Sequence, residues 1–207
     1  EMVLYNSDNH NFTPTGYNCI YSSLCIEGGI LFGSENIIFR YNYKSRTMDS
    51  IYICQKKNLD ISEYRIQKMV QLKKNKILIG TKEQGIYLYD CCTQQLTRFT
   101  SDIHHLLISL YVVSDKYVYA SFYGNGIYCY NQDGKIVKSY TSKTSSLNNN
   151  YVLDIIEHKG QLWIATDGGG INSFDQKTNT FHHSPTTSGE KVTSITDFSE
   201  NELLLSC

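Results

Sequence analysis

One pattern recurs along the 207-residue sequence at a nearly constant interval. Each copy has a short apolar run, a small residue, a turn and a second run in which apolar and polar residues alternate. The copies occupy residues 28–42, 75–90, 116–131, 160–175 and, in shortened form, 201–207. Their small residues lie 47, 41, 44 and 41 residues apart and are, in order, Gly33, Gly80, Ser121, Ala165 and Ser206. The mean period of about 43 residues is that of a unit of four short strands.

A further alternating run precedes every small residue, and a fourth strand-like piece follows the second run of each complete copy. We name these strands A to D in chain order, with the small residue near the end of strand B. A single four-stranded sheet cannot bury both of its faces, whereas sheets packed radially around an axis can. The sequence therefore predicts an all-β fold, a β-propeller with four-stranded antiparallel blades of about 43 residues.

The repeat limits divide the chain into four whole blades and two half blades. Residues 1–17 are expected to supply strands C and D of a preceding blade, and residues 187–207 strands A and B of a following one. The whole blades are predicted at residues 18–58, 59–101, 102–144 and 145–186. The two half blades could together close a five-bladed ring. Because the sequence begins and ends within strand-like runs, we favour residues 1–207 as a single segment of a larger propeller.

Composition supports strands and excludes two classes of partner. The chain has 17 tyrosines but only two prolines and one tryptophan, and aromatic side chains favour strands over helices. Nineteen basic residues nearly cancel 20 acidic ones, so no electrostatic footprint for nucleic acid or an anionic membrane is expected. The longest apolar stretch, residues 106–113, is too short to span a bilayer.

The glycine-rich stretch at residues 162–175, LWIATDGGGINSFD, could suggest a phosphate-binding loop. Such a loop must be followed by a helix whose amino terminus faces the anion, but a strand is expected after every one of these turns. We therefore predict that the glycines serve turns and close packing between blades. These structural glycines are Gly80, Gly85, Gly126, Gly169 and Gly170.

Residues 145–183 resemble a known repeat, the two-component regulator propeller, and the resemblance extends more loosely over nearly the whole chain. The residues of this unit that fit the family pattern are Leu147, Asn150, Val152, Ile155, Leu162, Trp163, Ile164, Thr166, Gly169, Gly170, Phe174 and Asp175. Asn148 and Ala165 stand where the family usually has proline and glycine. The second unit matches at Gly80, Thr81, Gly85, Tyr89 and Asp90, whereas Ser121 and Phe122 depart from the pattern in the third.

This resemblance implies a function. Propellers of the family form the periplasmic sensor region of hybrid two-component histidine kinases, which typically sense an oligosaccharide and control glycan utilisation genes. The resemblance also implies a seven-bladed ring, a homodimeric full-length sensor and a membrane helix outside these residues. The alternatives are a protein-interaction scaffold and, third, a propeller lyase or hydrolase.

The sequence gives little sign of catalysis, and we predict no enzyme activity, metal or cofactor for this segment. Adjacent strand residues point to opposite faces of the sheet. The two histidines of the pair His104-His105 therefore cannot bind the same metal ion, and neither can those of His182-His183. The seven cysteines form no C-x-x-C pair and are expected to be mostly buried free thiols. Glu35, Glu83 and Asp167 all fall on turns where any polar residue would serve.

Binding is easier to place than catalysis. With strand A innermost, the loops joining strands B to C and D to A emerge on one face of the propeller, and binding residues concentrate on such loops. Aromatic rings with nearby amides and carboxylates complement the C–H faces and hydroxyls of a sugar. The predicted ligand-binding residues are Tyr123 and Asn125 first, then Glu83, Gln84, Asp167, Tyr64 and Asn149. Each of them could equally be a solvated loop residue.

Overall fold

A computed structural model describes residues 3–6, 11–14, 19–53, 61–100, 105–114 and 116–207. These residues form short antiparallel strands joined by turns. The first two strands are β1 (Val3–Asn6) and β2 (Asn11–Pro14). Two short 3-10 helices, Ile61–Tyr64 and Pro185–Thr187, lie in connections between sheets. No helix of the described residues is long and apolar enough to cross a membrane.

Four sheets of four strands follow in chain order. The first sheet has β3 (Ser22–Ile26), β4 (Gly29–Gly33), β5 (Ile37–Asn42) and β6 (Met48–Tyr52). The second has β7 (Ile66–Lys73), β8 (Lys76–Thr81), β9 (Ile86–Asp90) and β10 (Gln95–Arg98). The third has β11 (Leu107–Val113), β12 (Tyr117–Phe122), β13 (Gly126–Tyr130) and β14 (Ile136–Tyr140). The fourth has β15 (Val152–His158), β16 (Gln161–Thr166), β17 (Gly170–Asp175) and β18 (Thr180–His183).

Each of these sheets is a simple meander, because sequential strands are always hydrogen-bonded neighbours. The last strands, β19 (Ser194–Ser199) and β20 (Glu202–Ser206), form a separate two-stranded sheet, as β1 and β2 do. The first strands of successive sheets contact one another, which places strand A on the inner side. The predicted all-β propeller class is confirmed. The predicted blade limits stay a prediction, although one four-stranded sheet lies within each of the four ranges.

The apolar core is divided into layers between neighbouring sheets. One cluster joins the first sheet to the second, and others join the second to the third and the third to the fourth. A smaller cluster joins the fourth sheet to β19 and β20. No sheet is stabilised in isolation, because its buried faces are covered by the sheets beside it.

The small residue of the repeat has a packing reason. A Cβ atom added to Gly33 would lie 2.5 Å from a methyl carbon of Ile66 in the next sheet, and one added to Gly80 would collide with Leu107. Both contacts are far below van der Waals distance. Ser121 and Ala165, at the same position of the third and fourth sheets, are fully buried. The repeat therefore keeps this residue small so that the next strand A can approach.

The turn residues of the repeat also act locally. The hydroxyls of Thr81 and Thr166 donate to the carbonyls of Gly85 and Gly170, at 2.7 and 2.9 Å, and so close the turn between strands B and C. Gly85, Gly126 and Gly170 have φ angles of 77, 72 and 69°, in the left-handed region that favours glycine. Gly80 and Gly169 lie in close contacts instead.

The expectation that most cysteines are buried is wrong. Among the described residues only Cys129 is buried; Cys91 is half-buried and the others are exposed. Cys54 lies outside the described residues. The exposed thiols sit in turns, at chain ends or at outward-facing strand positions, as Cys25 does in β3. Residue type alone did not reveal these positions.

Candidate ligand-binding face

The loops that join strands B to C interlock with those that join successive sheets. The amide of Tyr123 donates to the carbonyl of Leu106, and that of Asp167 to the carbonyl of Tyr151, both at 2.9 Å. Between sheets, the amide of Gly126 donates to Asn150 at 3.0 Å. We call this surface, built from both sets of loops, the loop face. Its hydrogen-bonded backbone gives side chains a defined position.

Two exposed tyrosines meet on the loop face between the third and fourth sheets. The rings of Tyr123 and Tyr151 pack edge to face, with centroids 4.9 Å apart and an interplanar angle of 73°. Tyr123 is 52% exposed and Tyr151 is 42% exposed. The intervening Gly124 lies under the Tyr151 ring, since a Cβ added there would be 3.3 Å from its Cε1 atom. The pair presents aromatic surface to solvent.

An ion pair adjoins the two tyrosines. Lys191 Nζ donates to Asp167 Oδ2 at 2.9 Å, and a β-bridge joins the backbones of these two residues. The backbone amide of Asp167 donates to the carbonyl of Tyr151, so the backbone of the ion pair is held next to that of Tyr151. We refer to Tyr123, Tyr151, Asp167 and Lys191 as the tyrosine cluster. The cluster therefore combines aromatic faces, a carboxylate and an ammonium group.

Two predicted amides support this cluster from behind. Asn149 donates to the carbonyl of Asp167 at 2.6 Å and accepts the amide of Tyr151 at 2.8 Å. Asn125 donates to the carbonyl of Tyr123 at 2.8 Å. These amides are engaged with backbone, so they orient the cluster instead of facing a ligand with free hydrogen-bonding capacity.

The remaining predicted residues lie at the second sheet. Gln84 Nε2 donates to Glu63 Oε2 at 2.7 Å, and Glu83 pairs with Lys82 at 3.2 Å. Tyr64 ends the short 3-10 helix Ile61–Tyr64. The structure thus separates the predicted residues into one group at the second sheet and another at the tyrosine cluster.

The first and second sheets are linked on the same face by an aromatic contact. The Arg65 guanidinium lies 4.8 Å from the ring centroid of Tyr21, whose hydroxyl donates to Glu35 at 3.2 Å. The pKa of Tyr21 is raised, first by its hydrogen bond with Cys19 and further by desolvation and by Glu35. Tyr21 therefore stays protonated and acts as the donor.

Sequence reasoning missed Tyr151 and Lys191. Tyr151 directly precedes buried Val152 at the start of strand A, so alternation alone would turn its side chain outward. Lys191 carried no local signal, because its role depends on Asp167, which is 24 residues earlier in the chain.

One repeat unit of the chain matches a known protein family. The family model described as the two component regulator propeller matches residues 146–168. Residues 146–168 are thus similar to the two-component regulator propeller repeat. The resemblance predicted from the sequence is confirmed there. This repeat contains Tyr151 and Asp167, which are two of the four residues of the tyrosine cluster. It also contains Asn149, which supports the cluster.

Solved structures share the fold of the chain. The extracellular domain of a protein assigned as a one-component system from B. thetaiotaomicron aligns with a TM-score of 0.72 and 17% identity, covering 93% of this chain and 29% of that one. The extracellular domain of a hybrid two-component system from the same organism gives 0.72 and 15%, covering 90% and 27%. The computationally designed Ika8 protein gives 0.67 and 12%, covering 90% and 54%.

The chain thus spans less than a third of the length of these two extracellular domains. No curated protein matches the sequence. Among the described residues, no group of three or more histidine, cysteine or acidic side chains could hold a metal ion.

Proposed function

We propose that this chain is part of the periplasmic, ligand-sensing propeller of a hybrid two-component histidine kinase, and that it recognises an oligosaccharide. The observation that carries the proposal is the exposed Tyr123–Tyr151 pair on the loop face, half of it within the two-component regulator propeller repeat. The fold similarity to extracellular domains of a one-component system and a hybrid two-component system supports a location outside the cytoplasm.

The chemistry of the tyrosine cluster suits a sugar. Aromatic faces pack against the C–H patches of a pyranose ring and tolerate its polar edge. The Asp167 carboxylate accepts hydrogen bonds from hydroxyls, and the Lys191 ammonium donates to ring or hydroxyl oxygens. A ligand held there would contact the third sheet, the fourth sheet and the segment leading into β19. Binding would therefore stabilise one arrangement of three neighbouring units.

We propose that the segment itself is not an enzyme and acts by passing this stabilisation to a kinase elsewhere in a homodimeric sensor. Its loop-face carboxylates already have partners, which suits binding better than proton transfer. These pairs are Glu35 with Tyr21, Glu83 with Lys82 and Asp167 with Lys191. The proposed complete ring has seven blades, of which the four whole sheets form the larger part.

Titration calorimetry of the 207-residue chain against a panel of oligosaccharides tests the proposal. We expect one member to bind, and Tyr123→Ala and Tyr151→Ala each to weaken binding about tenfold, the scale of one lost aromatic contact. Tyr52→Ala is the matched control, because Tyr52 is a tyrosine of β6 with 49% exposure. Turnover of the bound glycan in a hydrolysis assay would instead favour the lyase or hydrolase.

One feature favours the alternative of a protein-interaction scaffold. The outer strand β14 exposes Ile136 and Val137, at 53% and 57%, next to a backbone edge. Such an edge can accept a strand from another chain. Sedimentation of the chain with and without Ile136→Lys tests this function: a dimer lost in the variant supports it, and an unchanged monomer excludes self-association through β14.

A further inference from the structure

A groove between the third and fourth sheets lies apart from the tyrosine cluster. Strands β12 to β14 line one side, and the turn between β17 and β18 lines the other, enclosing about 220 Å³. That volume equals about seven waters at ~30 Å³ each. The groove therefore has room for one small ring and not for a chain of sugars. None of the residues that line it belongs to the tyrosine cluster.

Aromatic side chains form the walls of this groove. Tyr119 and Tyr140 each contact Phe174 of the fourth sheet edge to face, with centroids 6.3 and 5.1 Å apart. Tyr117 lies on the same side of β12 as Tyr119, two residues away, and also lines the groove. A flat ring lying in the groove would meet this aromatic surface through edge and face contacts.

Donor groups project among these rings. The Tyr140 hydroxyl donates to Asn179 Oδ1 at 2.8 Å, which fixes one amide at the groove. Burial raises the pKa of Tyr140 to about 12, so this hydroxyl stays protonated at neutral pH. Burial also raises the pKa of Tyr119, which hydrogen bonds to the Cys129 thiol. Gln176 adds a second amide to the lining.

The residues that line the groove carry only positive charge. Lys138 is the single charged residue among those that line the groove, and its Nζ atom lies 5.2 Å from the ring centroid of Tyr140. No aspartate or glutamate belongs to the lining. An anionic group near Lys138 would therefore meet an ammonium ion and neutral donors without a competing carboxylate.

The corresponding groove between the first and second sheets is built differently. Arg40 occupies the position of Cys129 in the repeat, and the lining contains no aromatic residue. Lys74 there is already paired with Glu27 at 3.3 Å. A gap of this kind is thus a general result of radial packing. The aromatic walls and unopposed lysine distinguish the groove between the third and fourth sheets from this one.

We propose that the groove between the third and fourth sheets binds a single six-membered ring that carries one carboxylate, with Lys138 receiving the carboxylate and the tyrosines holding the ring. The shared chemistry could come from a sugar acid or an aromatic acid. The site is separate from the oligosaccharide surface proposed above and does not depend on it.

Saturation-transfer NMR of the 207-residue chain with D-glucuronate, benzoate and D-glucose tests this site. We expect at least one acid to bind and the neutral sugar to bind more weakly. Lys138→Ala should weaken the acid about tenfold, the scale of a lost hydrogen bond to a charged group. Lys143→Ala removes an equal charge from an exposed residue outside the groove and should change nothing.

A second measurement uses the buried thiol. Occupation of the groove should slow alkylation of Cys129, read by peptide mass spectrometry, while exposed Cys92 serves as the internal reference. Tyr123→Ala should leave acid binding intact, which separates this site from the tyrosine cluster. Absence of binding by both acids, equal binding of D-glucose, or full binding by the Lys138→Ala protein would each overturn the proposal.

Discussion

Two glycines with the same backbone conformation differ in their surroundings. Gly28 and Gly126 have φ angles of 80 and 72°, but a Cβ added to Gly28 meets nothing, whereas one added to Gly126 would lie 2.1 Å from the Tyr140 carbonyl oxygen. Gly28→Ala should cost about 1–2 kcal/mol, from backbone strain alone. Gly126→Ala should cost a further ~1–3 kcal/mol, because the outer strand must move. Urea unfolding measures both, and equal losses would contradict the packing explanation.

A single turn residue should give the chain part of its acid sensitivity. Asp175 Oδ1 accepts the amides of Lys177 and Thr178, and these bonds lower its pKa below the ordinary 3.8, the Lys177 amide contributing most. Its contribution to stability is present above the unfolded pKa and lost as pH falls through the folded one. Asn42 accepts the equivalent two amides, those of Lys44 and Ser45, in the first sheet without a charge.

Asp175→Asn should therefore be somewhat less stable than the parent at neutral pH and lose less stability between about pH 4 and pH 2. Urea midpoints measured across this range provide the check. Asp133→Asn is the control, since the Asp133 side chain does not cap its turn through backbone amides. A variant that loses as much stability in acid as the parent would show that the charge of Asp175 has no such role.

At the scale of elements, one carboxylate joins the inner strands of neighbouring sheets. Asp154 of β15 accepts the amide of Ile195 in β19 at 3.1 Å and the hydroxyl of Ser109 in β11 at 3.3 Å. Ser22 makes the equivalent link by accepting the amide of Met69 at 3.1 Å. Asp154 and Ser22 are both the strand A residue that pairs with the small residue of strand B. In these two places, that residue connects one inner strand to the inner strand of the next sheet.

Asp154→Ala should destabilise the chain by about 1–3 kcal/mol, because it leaves the amide of buried Ile195 without an acceptor. Asp154→Asn keeps an acceptor oxygen and should recover part of the loss. Glu200→Ala, at an exposed turn, should stay within about 0.5 kcal/mol of the parent. Chemical denaturation compares the three, and an Asp154→Ala protein as stable as the Glu200→Ala control would exclude the link.

The strands were predictable from the sequence because the repeat reflects packing requirements that recur at fixed positions. Gly33 and Gly80 must be small to admit Ile66 and Leu107, and a small residue recurs at this position in all four of the four-stranded sheets, so a period is visible in the sequence. The tyrosine cluster was only half predictable. The repeat predicts the position of the turn that carries Tyr123. The contact of Tyr123 with Tyr151 depends instead on how two sheets pack, which no local sequence pattern encodes.

At the scale of the whole molecule, stability depends on how many sides of a sheet are covered. The third sheet has an apolar layer on each side, shared with the second and fourth sheets. The pair β19–β20 contacts the fourth sheet through a small layer, and Phe198 and Leu204 are 70% and 58% exposed. In a linear array, such a difference makes interior units more resistant to local opening than terminal ones.

Hydrogen exchange measured on the 207-residue chain should follow this order. Amides of β12 and β16, the second strands of two fully layered sheets, should exchange slowest, and those of β20 fastest among the corresponding strands. The comparison is restricted to amides bonded to the preceding strand, because β12 and β16 also pair with the strand after them, whereas β20 pairs only with β19. Asp154→Ala should accelerate exchange in β19 and β20 more than in β12. Uniform protection across β12, β16 and β20 would mean that the chain opens only as a single cooperative unit.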